Sequence, residues 1–187
     1  MKKVLVGGLL GGLTLFVWGA IAHMALPLGE AGLRAMPPAL EDATVAAMKN
    51  AMHERALYFF PGRDMSHSPT ALEQEAWAAK YAAGPAGIVA FTPVPPWGFG
   101  GQLGFEFLGN FLAALAAACV ILHVPASVGY FKRALLVACF GLVMSFDVDL
   151  SYWNWYGFPT VYAIAQLVEH TVAWLLAGLV LSGVCRD

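Results

Sequence analysis

The stretch PTVYAIAQLVEHTVAWLLAGLVLSGV, residues 159–184, decides the fold. Glu169 and His170 are its only ionisable side chains apart from the phenol of Tyr162. A helix needs about 20 apolar residues to cross roughly 30 Å of hydrocarbon, so this segment reads as a membrane span. Working outward from it, three more stretches read the same way: Val4–Leu26, Leu103–Val124 and Ala134–Leu150. A soluble chain of 187 residues has no core large enough to bury four of them. The predicted fold class is an all-α membrane bundle of four transmembrane helices. A small α+β extracytoplasmic insert, residues 27–102, falls between helices 1 and 2, and residues 1–187 form a single membrane domain.

Composition agrees. Apolar residues make up 59% and charged residues only 12%, against about 25% charged in soluble domains. Mean hydropathy is +0.67. A net charge of −2 gives no basic surface for nucleic acid. Cys119, Cys139 and Cys185 all lie in or beside apolar segments, so no disulfide framework is implied.

Met1-Lys2-Lys3 followed by an apolar run resembles the start of a signal peptide, and Ala20-Ile21-Ala22 fits a small-x-small cleavage site. Cleavage would make His23 a new amino terminus, the start of a copper-chelating brace. The run before that site exceeds the usual apolar core of about 7–15 residues. An uncleaved anchor is therefore the expectation.

The positive-inside rule orients the spans. Lys2 and Lys3, Lys132 and Arg133, and Arg186 fall on one side if both termini are cytoplasmic. The expected location is a bacterial inner membrane, crossed several times, with residues 27–102 and the turn Ser151–Phe158 on the periplasmic side. Tyr152, Trp153, Trp155, Tyr156 and Trp97 supply an aromatic belt there. The third span is the weakest, because Asp147 and Asp149 close it. It either begins near Gly129, with Lys132 and Arg133 snorkelling, or is re-entrant.

The insert is too long to be structureless. Charge order predicts a helix over about 40–57. Thr70 with Glu73 forms a capping box for a helix over about 70–83, ended by Gly84-Pro85. Two aromatic or β-branched runs, 56–60 and 87–91, are expected to pair as a ribbon. Such a ribbon is marginal alone and should pack on the helices or the membrane surface. His53 and His67 match no metal motif by spacing. The insert reads as a structural cap, a partner-docking surface or a lid.

Gly7, Gly8, Gly11 and Gly12 form two overlapping small-xxx-small pairs, which let two helix backbones approach closely. The partner is either another helix of this chain or a second copy.

Ionisable residues within a span are costly and mark candidate sites. Gln102, Glu106 and Asn110 share a face of the second span, and Tyr162, Gln166, Glu169 and His170 line the fourth. Ser145 and Asp149 share a face of the third, and His23 ends the first. All lie in the outer half or near the midplane under the expected topology. They outline a blind pocket that opens outward, not a conducting path.

The ligand-pocket candidates are Glu106, Asn110, Gln166, Glu169, His170, Tyr162 and Asp149. Three readings compete: hydrogen bonds that tie helices together, a ligand or lipid site, and a metal or redox site on His170, Glu169, Glu106 and His23. His and carboxylate donors suit zinc, iron or manganese. No Glu-x-x-His pair of the di-iron bundles is present. No nucleophile elbow, His-Glu-x-x-His, phosphate loop or dinucleotide fingerprint occurs either. A hydrolase built from dispersed residues stays open.

The strings Phe16-Val17-Trp18-Gly19, Tyr58-Phe59-Phe60-Pro61-Gly62 and Tyr152-Trp153-Asn154-Trp155-Tyr156-Gly157-Phe158-Pro159 resemble small bacterial four-helix integral membrane proteins. That resemblance implies a fold and no activity. The leading expectation is a non-enzymatic accessory or binding protein with an outward polar pocket. Its partners would be the lipid bilayer and either a membrane protein or a second copy. The alternative is a metal- or quinone-dependent redox protein.

Overall fold

A computed structural model describes residues 1–125 and 127–186. In chain order the elements are α1 (Lys2–Met24), α2 (Pro38–Ala51), β1 (Ala56–Phe60), α3 (Ala71–Ala83), β2 (Gly87–Phe91), α4 (Phe99–Ile121) and α5 (Tyr130–Met144). A π-helical turn, Ser145–Asp149, then leads into α6 (Leu150–Tyr156), and α7 (Thr160–Val184) closes the chain. Among the described residues, four helices are long and apolar enough to cross a membrane: α1, α4, the continuous run Tyr130–Tyr156, and α7. Among the described residues the molecule is mostly helical, with one two-stranded sheet.

The chain divides into two compact units. One holds Met1–Arg34, Trp97–Asn154 and the chain from Phe158 onward; the other holds Ala35–Pro96 with Trp155–Gly157.

In the larger unit α1 packs on α4 and α7, and α7 packs on α5. The glycines of α1 make the first of these contacts possible. A methyl at Gly12 would sit 2.6 Å from Phe111 Cα, and one at Gly8 2.7 Å from Leu115 Cδ1. Gly7 and Gly11 face Ala118, Ala114 and Leu181. The small-xxx-small face is thus filled by helices of the same chain. Alanines slim the other side, and Ala114, Ala117 and Ala118 are buried. Leu15, Ile121, Val137, Trp174 and Leu181 complete the core. The chain ends meet, with Lys3 Nζ donating to Arg186 O at 2.8 Å.

Three expectations need correction. Arg133 does not snorkel. It is buried, and its guanidinium donates to Val124 O at 2.7 Å, Ile121 O at 3.1 Å and Cys185 O at 3.0 Å. These carbonyls close α4 and α7, where helix ends leave acceptors unpaired and carry partial negative charge. The aromatic string after Asp149 is not a turn. It continues the third span to Tyr156, and the chain reverses only at Gly157, whose φ of +71° suits glycine, before Pro159 caps α7. The first helix of the smaller unit stops at Ala51 instead of residue 57, because Met52 is already extended ahead of β1.

Within the smaller unit β1 and β2 pair antiparallel, from Ala56 opposite Phe91 to Phe60 opposite Gly87. The Tyr58 and Phe91 rings meet edge to face at 6.1 Å. Thr70 and Glu73 make a full capping box on α3, and Gly84 ends it with φ +63°. Trp77 Nε1 donates to Pro61 O at 2.8 Å, which ties α3 to the end of β1.

Candidate functional site

Helix α7 carries the site because successive residues on a helix point about 100° apart. Glu169 therefore faces α1 and His170 faces the third span. Each finds a partner of the opposite kind.

On the α1 side, His23 Nε2 lies 3.1 Å from Glu169 Oε1. The carboxylate is almost wholly buried, while about half of the His23 side chain is exposed. The turn after α1 holds that imidazole in place: Gly29 N–H donates to Ala22 O at 3.3 Å, and a methyl at Gly29 would meet the His23 ring. Trp18 Nε1 adds a bond of 3.1 Å to the backbone oxygen of Glu169. Glu169 Oε2 is buried without a hydrogen-bond partner among the described residues.

On the other side, His170 Nδ1 lies 3.1 Å from both Ser145 Oγ and Asp149 Oδ2. Only the serine contact has hydrogen-bond geometry; among the described residues Asp149 Oδ2 is buried without a hydrogen-bond partner. One ring nitrogen carries one proton or one lone pair, so it satisfies one of its two neighbours. The π turn places both groups here. Leu150 N–H reaches back five residues to Ser145 O, and both Ser145 and Asp149 end up buried against α7. Gly141 brings the helices close enough, since any side chain there would collide with the His170 carbonyl oxygen.

Tyr162 is half-buried two turns before Glu169 on α7. Its Cβ is backed by Gly32, and its ring meets Phe158 edge to face at 5.2 Å. Gln166 is half-buried one turn further along α7.

Glu106 and Asn110 do not belong to this cluster. Asn110 Nδ2 donates to Glu106 Oε1 at 3.1 Å along α4, and Glu106 is exposed. The set His170, Glu169, Glu106 and His23 is thereby distributed over different faces. Among the described residues no group of three or more His, Cys, Asp or Glu side chains is arranged to hold a metal ion.

Serine, histidine and aspartate meet here, but not as a hydrolytic relay. A relay needs the serine on one ring nitrogen and the aspartate on the other, whereas both approach Nδ1.

Beside Ser145 lies an open apolar groove of about 190 Å³, lined by Phe146, Leu150, Trp153, Ala163, Ile164 and Leu167 among others, most of them exposed. Sequence reading missed it, because apolar residues that line a groove and those that face lipid look alike. It also missed Trp18 as a donor. The Ser145–His170 bond had a signal, since Ser145 shares a helix face with Asp149.

No protein-family model matches the chain, and no curated protein and no solved structure matches it either.

Proposed function

We propose that the protein is a non-enzymatic binding or accessory protein of a bacterial cytoplasmic membrane. Its α7 cluster and the neighbouring apolar groove take an amphiphilic ligand in the outer leaflet. One observation carries this reading: among the described residues Glu169 Oε2 is buried without a hydrogen-bond partner, and Asp149 Oδ2 has only the 3.1 Å approach of His170 Nδ1, which lacks hydrogen-bond geometry. A buried polar atom left unpaired costs about 1–3 kcal/mol. A bound molecule that donates hydrogen bonds would offset that cost. A carboxylate oxygen accepts, so the favoured head group is a donor such as an ammonium or hydroxyl. The groove beside Ser145 supports the same reading by offering room for an acyl or isoprenoid tail.

A second reading, a quinone-dependent redox protein, has its own support. His170 is held through Nδ1, and its Nε2 has no partner among the described residues. A quinone carbonyl needs one such donor.

Titration of lysophosphatidylethanolamine and of a short-chain quinone into the detergent-purified protein separates the two readings. The ligand reading expects saturable binding of the lysolipid, weakened about tenfold by Glu169→Gln, as loss of a charge-assisted hydrogen bond implies. Preferential quinone binding, lost in His170→Ala, supports the second reading instead. Stoichiometric metal or a visible chromophore lost in His170→Ala would overturn the first reading, as would binding of neither ligand.

A further inference from the structure

The smaller unit holds a separate cavity of about 220 Å³ between the chain after β1 and the first turns of α3. Trp77 forms one wall. Its indole is fixed by the 2.8 Å bond from Nε1 to Pro61 O and by stacking on Tyr81, with ring centroids 5.2 Å apart. Arg63 lies over the indole, its Cζ 5.8 Å from the ring centroid. Lys80, one helical turn beyond Trp77, lines the same cavity.

Two carboxylates also line it, and local groups already engage both. Asp64 Oδ1 accepts the Ser66 N–H at 2.8 Å. Glu73 Oε2 accepts the Thr70 N–H and hydroxyl, each at 2.8 Å. His67 sits between them, with Nε2 3.3 Å from Glu73 Oε1 and Nδ1 3.8 Å from Asp64 Oδ2. The bonds from Ser66 hold Asp64 below its ordinary 3.8, and those from Thr70 hold Glu73 below its ordinary 4.5. Among the described residues neither Arg63 nor Lys80 has an anionic partner.

The carboxylates are thus committed to the loop and the helix cap, while two cations flank an aromatic wall with no anion to meet. We propose that this cavity binds a phosphate-bearing anion, with the phosphate between Arg63 and Lys80 and the rest of the ligand against Trp77. Arginine suits the site because its planar fork matches phosphate oxygens in pairs, and lysine adds a point charge. A lipid head group and a soluble phosphate monoester share this chemistry.

The test uses the full chain in an uncharged detergent and reads the tryptophan emission change that disappears in Trp77→Phe. Glycerol 3-phosphate is titrated in one arm, and phosphatidylglycerol against phosphatidylcholine vesicles in the other. Saturable binding is expected in at least one arm. Glycerol 3-phosphate alone sufficing assigns a soluble ligand; a response only to the anionic vesicles assigns a head group. Arg63→Gln and Lys80→Gln should each weaken binding by about tenfold. Lys49→Gln on α2, away from the cavity, should leave it within about twofold. No saturable binding in either arm would overturn the proposal. So would an equal loss in Lys49→Gln and Lys80→Gln, which would mark diffuse charge attraction.

Discussion

Among the described residues Arg133 has no carboxylate partner. It answers three backbone carbonyls at the ends of two helices, an arrangement no span-level reading of Lys132-Arg133 reveals. Arginine reaches them from two nitrogens of a planar fork, whereas the three donors of a lysine all leave from one nitrogen. Arg133→Met should therefore lower stability by about 2 kcal/mol, with Arg133→Lys recovering little of it, as read by thermal or denaturant unfolding in detergent. The same logic applies at Glu169. Glu169→Gln keeps an acceptor for His23 and should change stability by less than about 1 kcal/mol, whereas Glu169→Leu removes it. Glu169→Gln should still weaken ligand binding about tenfold and Glu169→Leu at least as much, so the pair separates a binding role from a purely structural one.

Glycine spacing decides how the helices meet. Gly12 faces backbone of α4, while Gly8 first faces the movable end of Leu115. Gly12→Ala should cost more than Gly8→Ala, by about 1–3 kcal/mol of overpacking. Gly141→Ala pushes on the His170 backbone and should also displace the imidazole from Ser145 and Asp149, a change visible in the histidine NMR shifts. In the smaller unit the cap of α3 has a pH signature. Glu73 is depressed in the folded state, so its contribution is present above its ordinary value of 4.5 and is lost as pH falls through the lower folded value. Amide exchange at the first turn of α3 should quicken below that pH, and Thr70→Ala should bring the same quickening at neutral pH.

Across the whole molecule, what the sequence made legible follows from periodicity and punctuation. Apolar length announces the four long helices. Thr70, Glu73 and Gly84 mark the ends of α3, and the strands lie at the two aromatic runs. The site was half legible. Glu169, His170 and Asp149 stand out as ionisable groups in apolar runs. Their pairing does not, because it depends on a π turn with no compositional signal and on the close approach at Gly141. Glu106 stood out equally and lies elsewhere, bonded within its own helix. Lys3 and Arg186 meet at one end of the larger unit. Terminal reporter fusions should place both ends in the cytoplasm, and a cysteine introduced at Ser66 should react with a membrane-impermeant reagent in whole cells.

The most direct test of the central claim is native mass spectrometry of the full chain released from mild detergent, beside Ile164→Trp, which fills the apolar groove. The account predicts a stoichiometric small-molecule adduct on the unaltered protein and its loss in the folded variant. The bare polypeptide mass in both, or an adduct equally abundant in both, would contradict it.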